Sequence, residues 1–161
     1  MTCGLNIFKE QLEALKNKLA ELAARNILLI AAAGDKADLK EGKLFFPASE
    51  KEVISVASIN EGYLERHNDV SPALNIVAPF INYFSAYIPP KFYEVLPGCS
   101  MCTAFVTGIA ALCISSRKMN GATSTSRAEL LNLLNNCSIA PAAFDYRNSD
   151  EFYFNLLNIT S

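Results

Sequence analysis

The segment Gly98-Cys99-Ser100-Met101-Cys102 has the residue types of a nucleophile turn at the start of a helix. Gly98 permits a sharp turn, and the run of small and apolar residues from Ser100 to Cys113 predicts a helix directly after it. The N-terminus of a helix directs backbone N–H groups toward developing negative charge, as the oxyanion of an acyl transfer requires. The segment therefore points to nucleophilic catalysis by Ser100.

A serine hydroxyl becomes a nucleophile only beside a base, so the titratable residues bear directly on this hypothesis. The chain has a single histidine, His67, within a polar and turn-prone stretch over 60–72. We expect His67 to lie in a surface loop rather than in a catalytic site. Acidic residues such as Asp38, Glu41 and Asp69 are scattered, without the ligand spacing of a calcium loop. No metal or cofactor is predicted.

The cysteines offer a second possible chemistry. The chain has five, Cys3, Cys99, Cys102, Cys113 and Cys137. An odd number, with a Lys- and Glu-rich N-terminus unlike a signal peptide, favours reduced thiols and slightly favours the cytoplasm. Cys99-x-x-Cys102 also matches the pattern of redox motifs. The preferred alternative is that both are small residues at the start of a helix.

Composition limits the class of partner. At 161 residues, with 51% hydrophobic and 19% charged residues, the chain suffices for one domain with a sizeable core. A net charge of −2 provides no basic surface for nucleic acid. The apolar run Ile27 to Ala33 is too short to cross a bilayer. Neither nucleic acid nor a membrane is therefore predicted as a partner.

Apolar periodicity in the first half predicts a helix followed by strands. A helix over 6–25 has one apolar stripe, and Asn26 is a plausible stop. The run 27–33 is continuously apolar, as is typical of a strand buried on both faces of a parallel sheet. Further strands are predicted over 53–57 and 74–78, the last stopped by Pro79.

The second half predicts a hairpin over 80–97 and two helices. The first helix, 100–116, is apolar nearly all round, so we expect it to be central and buried. We expect the hairpin aromatics to pack beneath it, the alternative being a surface for association; they are Tyr83, Phe84, Tyr87, Phe92 and Tyr93. Ser126 caps the second helix, which runs to about Asn136, with Glu129 completing a capping box.

Three blocks in order carry a family resemblance. The run 27–35, ILLIAAAGD, resembles the strand ending in Ala-Ala-Gly-Asn of subtilisin-like serine peptidases, the subtilases. Phe46-Pro47-Ala48 with 53–57 is similar to their Tyr-Pro-Ala and the next strand, and 98–102 is similar to Gly-Thr-Ser-Met-Ala. The resemblance implies an α/β fold, a partial three-layer subtilisin-like arrangement with a mostly parallel sheet.

The resemblance also implies a division of the chain and roles for single residues. Residues 1–137 correspond to the C-terminal half of a subtilase catalytic domain. The tail, 138–161, has no assigned role, apart from a possible short helix near 150–157. Ser100 would be the acyl-forming nucleophile, and its N–H would line the oxyanion hole with the side chain at position 35. Gly34 and Gly98 would border the substrate.

Position 35 departs from the family pattern. The family has Asn there as an oxyanion donor, whereas this chain has Asp35. An ionised carboxylate only accepts hydrogen bonds, although a protonated Asp35 would still donate one. The family also carries its catalytic Asp and His on the half of the fold that precedes this one. The resemblance therefore implies a subtilase-like domain that is inactive alone, a pseudoprotease.

The alternative is the C-terminal piece of a split or truncated serine endopeptidase. Such a piece would hydrolyse peptide substrates when the missing half complements it. In both cases the strand 27–33 would have an apolar outer edge, which favours association. We therefore predict a homodimer, or a second chain that covers this edge.

Overall fold

The computed structural model describes residues 9–34, 44–60, 74–80, 83–96, 98–136, 138–139 and 156–157. These residues form three helices and seven strands. They are α1 Lys9–Ala24, β1 Leu29–Ala32, β2 Val53–Asn60, β3 Ile76–Phe80, β4 Tyr83–Ala86, β5 Tyr93–Leu96, α2 Cys99–Met119, α3 Arg127–Asn136, β6 Ser138–Ile139 and β7 Leu156–Leu157.

The main sheet is mostly parallel, as predicted. Its order is β1-β2-β3-β7-β6, and only the β6–β7 pair is antiparallel. Val56 in β2 pairs with Ala32 on one side and with Ile76 on the other. β2 is therefore an interior strand, and β1 is the terminal strand of the sheet among the described residues.

Helices cover both faces of the sheet, which confirms the predicted three-layer α/β fold. On one face Leu19 of α1 packs with Ala31, Ala48 and Val53. On the other face α2 and α3 cover β2 and β3 with a larger cluster of buried side chains. That cluster comprises Ile54, Val56, Ile76, Ala78, Cys102, Val106, Ala110, Leu130 and Leu134.

The end of α1 confirms the predicted stop at Asn26. Asn26 adopts a left-handed conformation with φ of 59°. Its N–H donates to Ala23 O at 2.9 Å, and the N–H of Ile27 donates to Leu22 O at 3.0 Å. These two bonds satisfy carbonyls that a helix end otherwise leaves unpaired. The chain then turns directly into β1.

A polar cluster fixes α3 against the amino ends of the strands. Arg127 Nη2 donates to Asn75 Oδ1 at 2.9 Å and to Val53 O at 3.2 Å. Ser55 N also donates to Asn75 Oδ1, at 3.1 Å. The pKa of Arg127 is lowered by its partial burial, and the charge of Glu52 offsets part of this shift. The guanidinium therefore bridges α3, β2 and the residue before β3.

Two predictions about the strands and the tail were wrong. Pro79 does not stop β3, which continues to Phe80. Pro79 lies near the carboxyl end of the strand, where a missing N–H interrupts the ladder least. The prediction of a possible short helix near 150–157 was wrong for Leu156 and Leu157, which form β7 beside β3. Residues 150–155 lie outside the described residues. The domain boundary after residue 137 stays a prediction.

The prediction that the apolar helix over 100–116 is central and buried holds for only one of its sides. One side of α2 is buried, whereas Leu112 is 71% exposed and Met119 is 86% exposed. Among the described residues, α2 is the one helix long and apolar enough to cross a membrane. Core helices of soluble proteins pass the same test, so this feature alone does not indicate a membrane.

The hairpin was correctly predicted, but its packing was not. β4 and β5 pair antiparallel as a separate two-stranded sheet. Phe84, Tyr87, Phe92 and Tyr93 are exposed rather than packed beneath α2, because they lie on the solvent side of the hairpin or at its tip. The side chain of Tyr83 lies outside the described residues.

Candidate active site at the start of the second helix

Ser100 lies in the first turn of α2, where the sequence predicts it. Gly98 is the N-cap and has φ of 118° and ψ of 164°, a conformation that residues with a Cβ rarely adopt. Cys99 and Ser100 are the first two helical residues, and the Ser100 side chain is half-buried. The helix dipole therefore favours negative charge beside the Ser100 hydroxyl.

Local hydrogen bonds hold this turn in place. Gly98 O accepts from Met101 N at 3.0 Å and from Cys102 N at 3.2 Å. Thr103 Oγ1 donates to Cys99 O at 2.8 Å and is buried. These hydrogen bonds involve residues before and after Ser100, so they fix its backbone within the first turn of α2.

One backbone carbonyl joins the turn before Ser100 to the turn after β1. Val56 O accepts from Cys99 Sγ at 3.0 Å and from Ala33 N at 2.8 Å. Cys99 immediately precedes Ser100, and Ala33 immediately precedes Gly34. Both turns that the sequence assigns to the site are therefore attached to the same residue of β2.

Gly34 lies in the second of these turns and is sterically constrained. Its φ is 115°, and the Phe45 ring occupies the space that a Cβ would need. Phe45 N donates to Ala33 O at 3.2 Å, which fixes the ring beside the glycine. A glycine is therefore required here by backbone conformation and by space. Asp35, the next residue, lies outside the described residues.

Cys99 and Cys102 are packing residues at this site. Their exposed fractions are 2% and 0%, and the Cys99 thiol donates to Val56 O. Disulfide exchange requires an accessible thiolate, so their burial favours the packing interpretation over the redox one. The sequence did not predict the contact of Cys99 with Val56, because every residue type carries a backbone carbonyl.

The remaining candidate residues are not all placed. His67 lies outside the described residues, as do Asp38, Glu41 and Asp69. Within the described part of the chain no group of three or more His, Cys, Asp or Glu residues could hold a metal ion. The absence of a metal site in the whole chain stays a prediction.

The match to a protein-family model covers most of the chain. The model of the subtilase family, peptidase S8, matches residues 5–149. This chain belongs to the subtilase family. The family resemblance stated from the sequence is confirmed, and it includes the Ser100 turn and the turn after β1.

Individual subtilases match over shorter stretches. Subtilisin DY of Bacillus licheniformis is 31% identical over 104 residues, which is 63% of this chain and 38% of that protein. A halolysin-like extracellular serine protease, Nep, of Natrialba magadii is 34% identical over 90 residues, 55% of this chain and 16% of that protein. This subtilase therefore spans well under half the length of these relatives.

Solved structures confirm the fold. The prenylagaramide maturation protease PagA superposes with a TM-score of 0.64 at 24% identity, covering 90% of this chain and 52% of PagA. The self-cleaved protease domain of PatA superposes with a TM-score of 0.57 at 25% identity, covering 78% of this chain and 47% of PatA. This subtilase thus corresponds to about half of each of these two structures.

Proposed function

We propose that this chain supplies the nucleophile half of a subtilisin-like serine endopeptidase site, with Ser100 as the nucleophile. The base that activates Ser100 comes from a second polypeptide segment, and the chain alone is inactive. The observation that carries the proposal is the attachment of both site turns to Val56 O. This attachment holds the turns of Gly34 and Ser100 together, as a site built from both turns requires.

The proposed reaction is hydrolysis through an acyl-enzyme. Ser100 Oγ bonds to the carbonyl carbon of the peptide while its proton passes to the base. The oxyanion that forms lies at the N-terminus of α2, where N–H groups and the helix dipole stabilise it. The C–N bond then breaks, the amine takes the proton, and water hydrolyses the ester.

Two exposed surfaces support a second polypeptide. β1 is the terminal strand of the described sheet, and α2 beside it exposes Leu112. A terminal apolar strand and an unpartnered apolar helix face are both surfaces that proteins usually cover. We therefore propose that the segment that supplies the base also covers this side of α2 and the edge of β1.

A pseudoprotease is the second candidate, and Asp35 favours it. A carboxylate at the position of an oxyanion donor would repel the intermediate, and loss of one donor alone costs about 3–4 kcal/mol of transition-state stabilisation. A binding module with the same fold would tolerate this residue. The two candidates differ in whether Ser100 reacts.

Labelling with a fluorophosphonate, read by intact mass, tests Ser100. We expect no adduct on the purified chain and an adduct when the chain is added to an extract of its source organism. Ser100→Ala should abolish the adduct, whereas Ser116→Ala, an exposed serine on the same helix, should retain it. An adduct on the pure chain would contradict the need for a second segment.

Asp35→Asn separates the two candidates. If Ser100 is active in the extract, restoring a donor should raise the labelling rate by roughly a hundredfold. The pseudoprotease predicts that neither the original chain nor Asp35→Asn is labelled above the Ser100→Ala background. That result would overturn the proposed peptidase.

A further inference from the structure

The solvent-facing side of the β4–β5 hairpin consists entirely of apolar side chains. Side chains alternate between the two faces of a strand, and the register pairs Phe84 with Val95 and Ala86 with Tyr93. These four residues therefore share one face, and all four are exposed. Phe84 is 74% exposed and Tyr93 is 60% exposed.

The opposite face of the hairpin carries the polar residues. Ser85 and Glu94 alternate with the exposed residues and are half-buried, together with Leu96. An antiparallel sheet with one solvated face normally places its polar residues outward and its apolar residues inward. The reversed arrangement indicates that the apolar face is a contact surface.

The hairpin tip extends this surface, and two of the strand aromatics stack on each other. Ile88 and Phe92 are 69% and 60% exposed. The rings of Phe84 and Tyr93 stack with centroids 5.4 Å apart and an angle of 12° between their planes. Stacking limits the rotamers open to both rings, so less side-chain entropy is lost when a partner covers the pair.

We propose that the hairpin surface, defined as Phe84, Ala86, Tyr87, Ile88, Phe92, Tyr93 and Val95, binds the hairpin surface of a second copy of this chain. The available area supports this partner. With about 200 Å² for a whole aromatic side chain, the exposed parts provide roughly 650 Å² per copy. A two-fold pair that covered all of this area would bury at most about 1,300 Å², so the surface is large enough for the roughly 1,000 Å² that a specific interface needs.

The charges of the hairpin also suit its own copy. Lys91 and Glu94 are one charge of each sign, and they pair with each other through Nζ and Oε2 at 2.5 Å. A two-fold interface places the same surface on both sides, so a patch with a net charge would repel itself. This patch has no net charge, and a strongly acidic or basic partner would gain nothing from it.

Sedimentation equilibrium of the purified chain and three variants tests the proposal. We expect a reversible dimer, with dissociation constants raised at least about tenfold by Phe84→Ser and by Phe92→Gly. Leu112→Ser is the matched control, because it removes a side chain of similar exposure from α2. It should leave the dimer unchanged.

Phe92→Gly is included because it removes a side chain of the hairpin surface without destabilising the fold. Phe92 has φ of 59°, a conformation that glycine adopts without strain, so this variant should be at least as stable as the original chain. A folded Phe92→Gly variant that still dimerises as tightly would overturn the proposal. A chain that is monomeric at every concentration would overturn it too.

Two further outcomes would assign the surface elsewhere and also overturn the proposal. If Leu112→Ser weakened the dimer as strongly as Phe84→Ser does, the interface would lie on α2 and not on the hairpin. Vesicles of phosphatidylcholine and phosphatidylserine provide the other comparison. Sedimentation of a monomeric chain with these vesicles, lost in Phe84→Ser, would identify a lipid surface as the partner.

Discussion

Gly98 and Gly108 are two glycines of α2 that differ in backbone conformation. Gly98 caps α2 with a φ of 118°, whereas Gly108 lies inside the helix and is exposed. An added Cβ would meet no atom within 4 Å at either position. Any difference between alanine substitutions at the two positions therefore comes from backbone conformation and not from packing.

We predict that Gly98→Ala and Gly108→Ala change stability in opposite directions. Gly98→Ala should lower the free energy of unfolding by about 1–3 kcal/mol, because alanine is strained at this φ. Gly108→Ala should raise it by about 0.5–1 kcal/mol, because alanine is the better helix former. Urea denaturation measures both. Changes of the same sign would contradict the assigned conformation of Gly98.

At the scale of the element, α3 begins with the capping box that the sequence predicts. Ser126 N donates to Glu129 Oε2 at 2.8 Å, and Glu129 N donates to Ser126 Oγ at 3.3 Å. Arg117 Nη2 of α2 donates to Glu129 Oε1 at 2.6 Å. The same carboxylate therefore caps α3 and joins it to α2.

The free energy of unfolding should depend on pH through the ionisation of the Glu129 carboxylate. Hydrogen bonds from the backbone N–H and hydroxyl of Ser126 lower the pKa of Glu129, and Arg117 contributes in the same direction. The contribution of Glu129 to the free energy of unfolding is therefore complete above the pKa of about 4.3 that a glutamate has in the unfolded chain. It is lost as the pH falls through the lower pKa of Glu129 in the folded chain.

We predict that Glu129→Gln loses this part of the pH dependence. Urea midpoints measured from neutral to acidic pH should fall less steeply for Glu129→Gln than for the original chain. Glu13→Gln, an exposed carboxylate on α1, is the control and should behave like the original chain. Equal slopes for all three chains would show that Glu129 carries no such linkage.

At the scale of the whole molecule, the buried and exposed faces of α2 depend on what surrounds it. Its inner side packs on the sheet through Val106 and Ala110, which are buried. Its outer side keeps Leu112 and Met119 exposed in a chain that corresponds to about half of PagA. The proposed second segment would change the environment of this outer side but not of the inner one.

We predict that the double variant Leu112→Lys, Met119→Lys folds normally. Both side chains are exposed, so the free energy of unfolding should change by less than about 0.5–1 kcal/mol. Binding of the dye ANS should fall, because it reports exposed apolar surface. Leu134→Lys, at a fully buried position, should unfold the chain. Equal destabilisation by both changes would mean that the outer side of α2 is buried.

The sequence by itself determined the features that depend on neighbouring residues. The end of α1 at Asn26, the capping box of Ser126 and Glu129, and the turn at Gly98 all follow from side chains and backbone groups within a few positions. The hairpin and the parallel strands followed from local patterns as well. The order and spacing of three short blocks were enough to indicate the subtilase family.

Only the tertiary structure decided which apolar faces are covered. The sequence shows that α2 is apolar nearly all round, but which of its residues are buried depends on strands far away in the sequence. Leu156 joins β3 through a single residue pair that no local pattern encodes. The junction at Val56 O is likewise invisible in the sequence, because it joins a thiol and an N–H to a backbone carbonyl. Such contacts form only when distant segments meet, and their free energy depends on the whole fold.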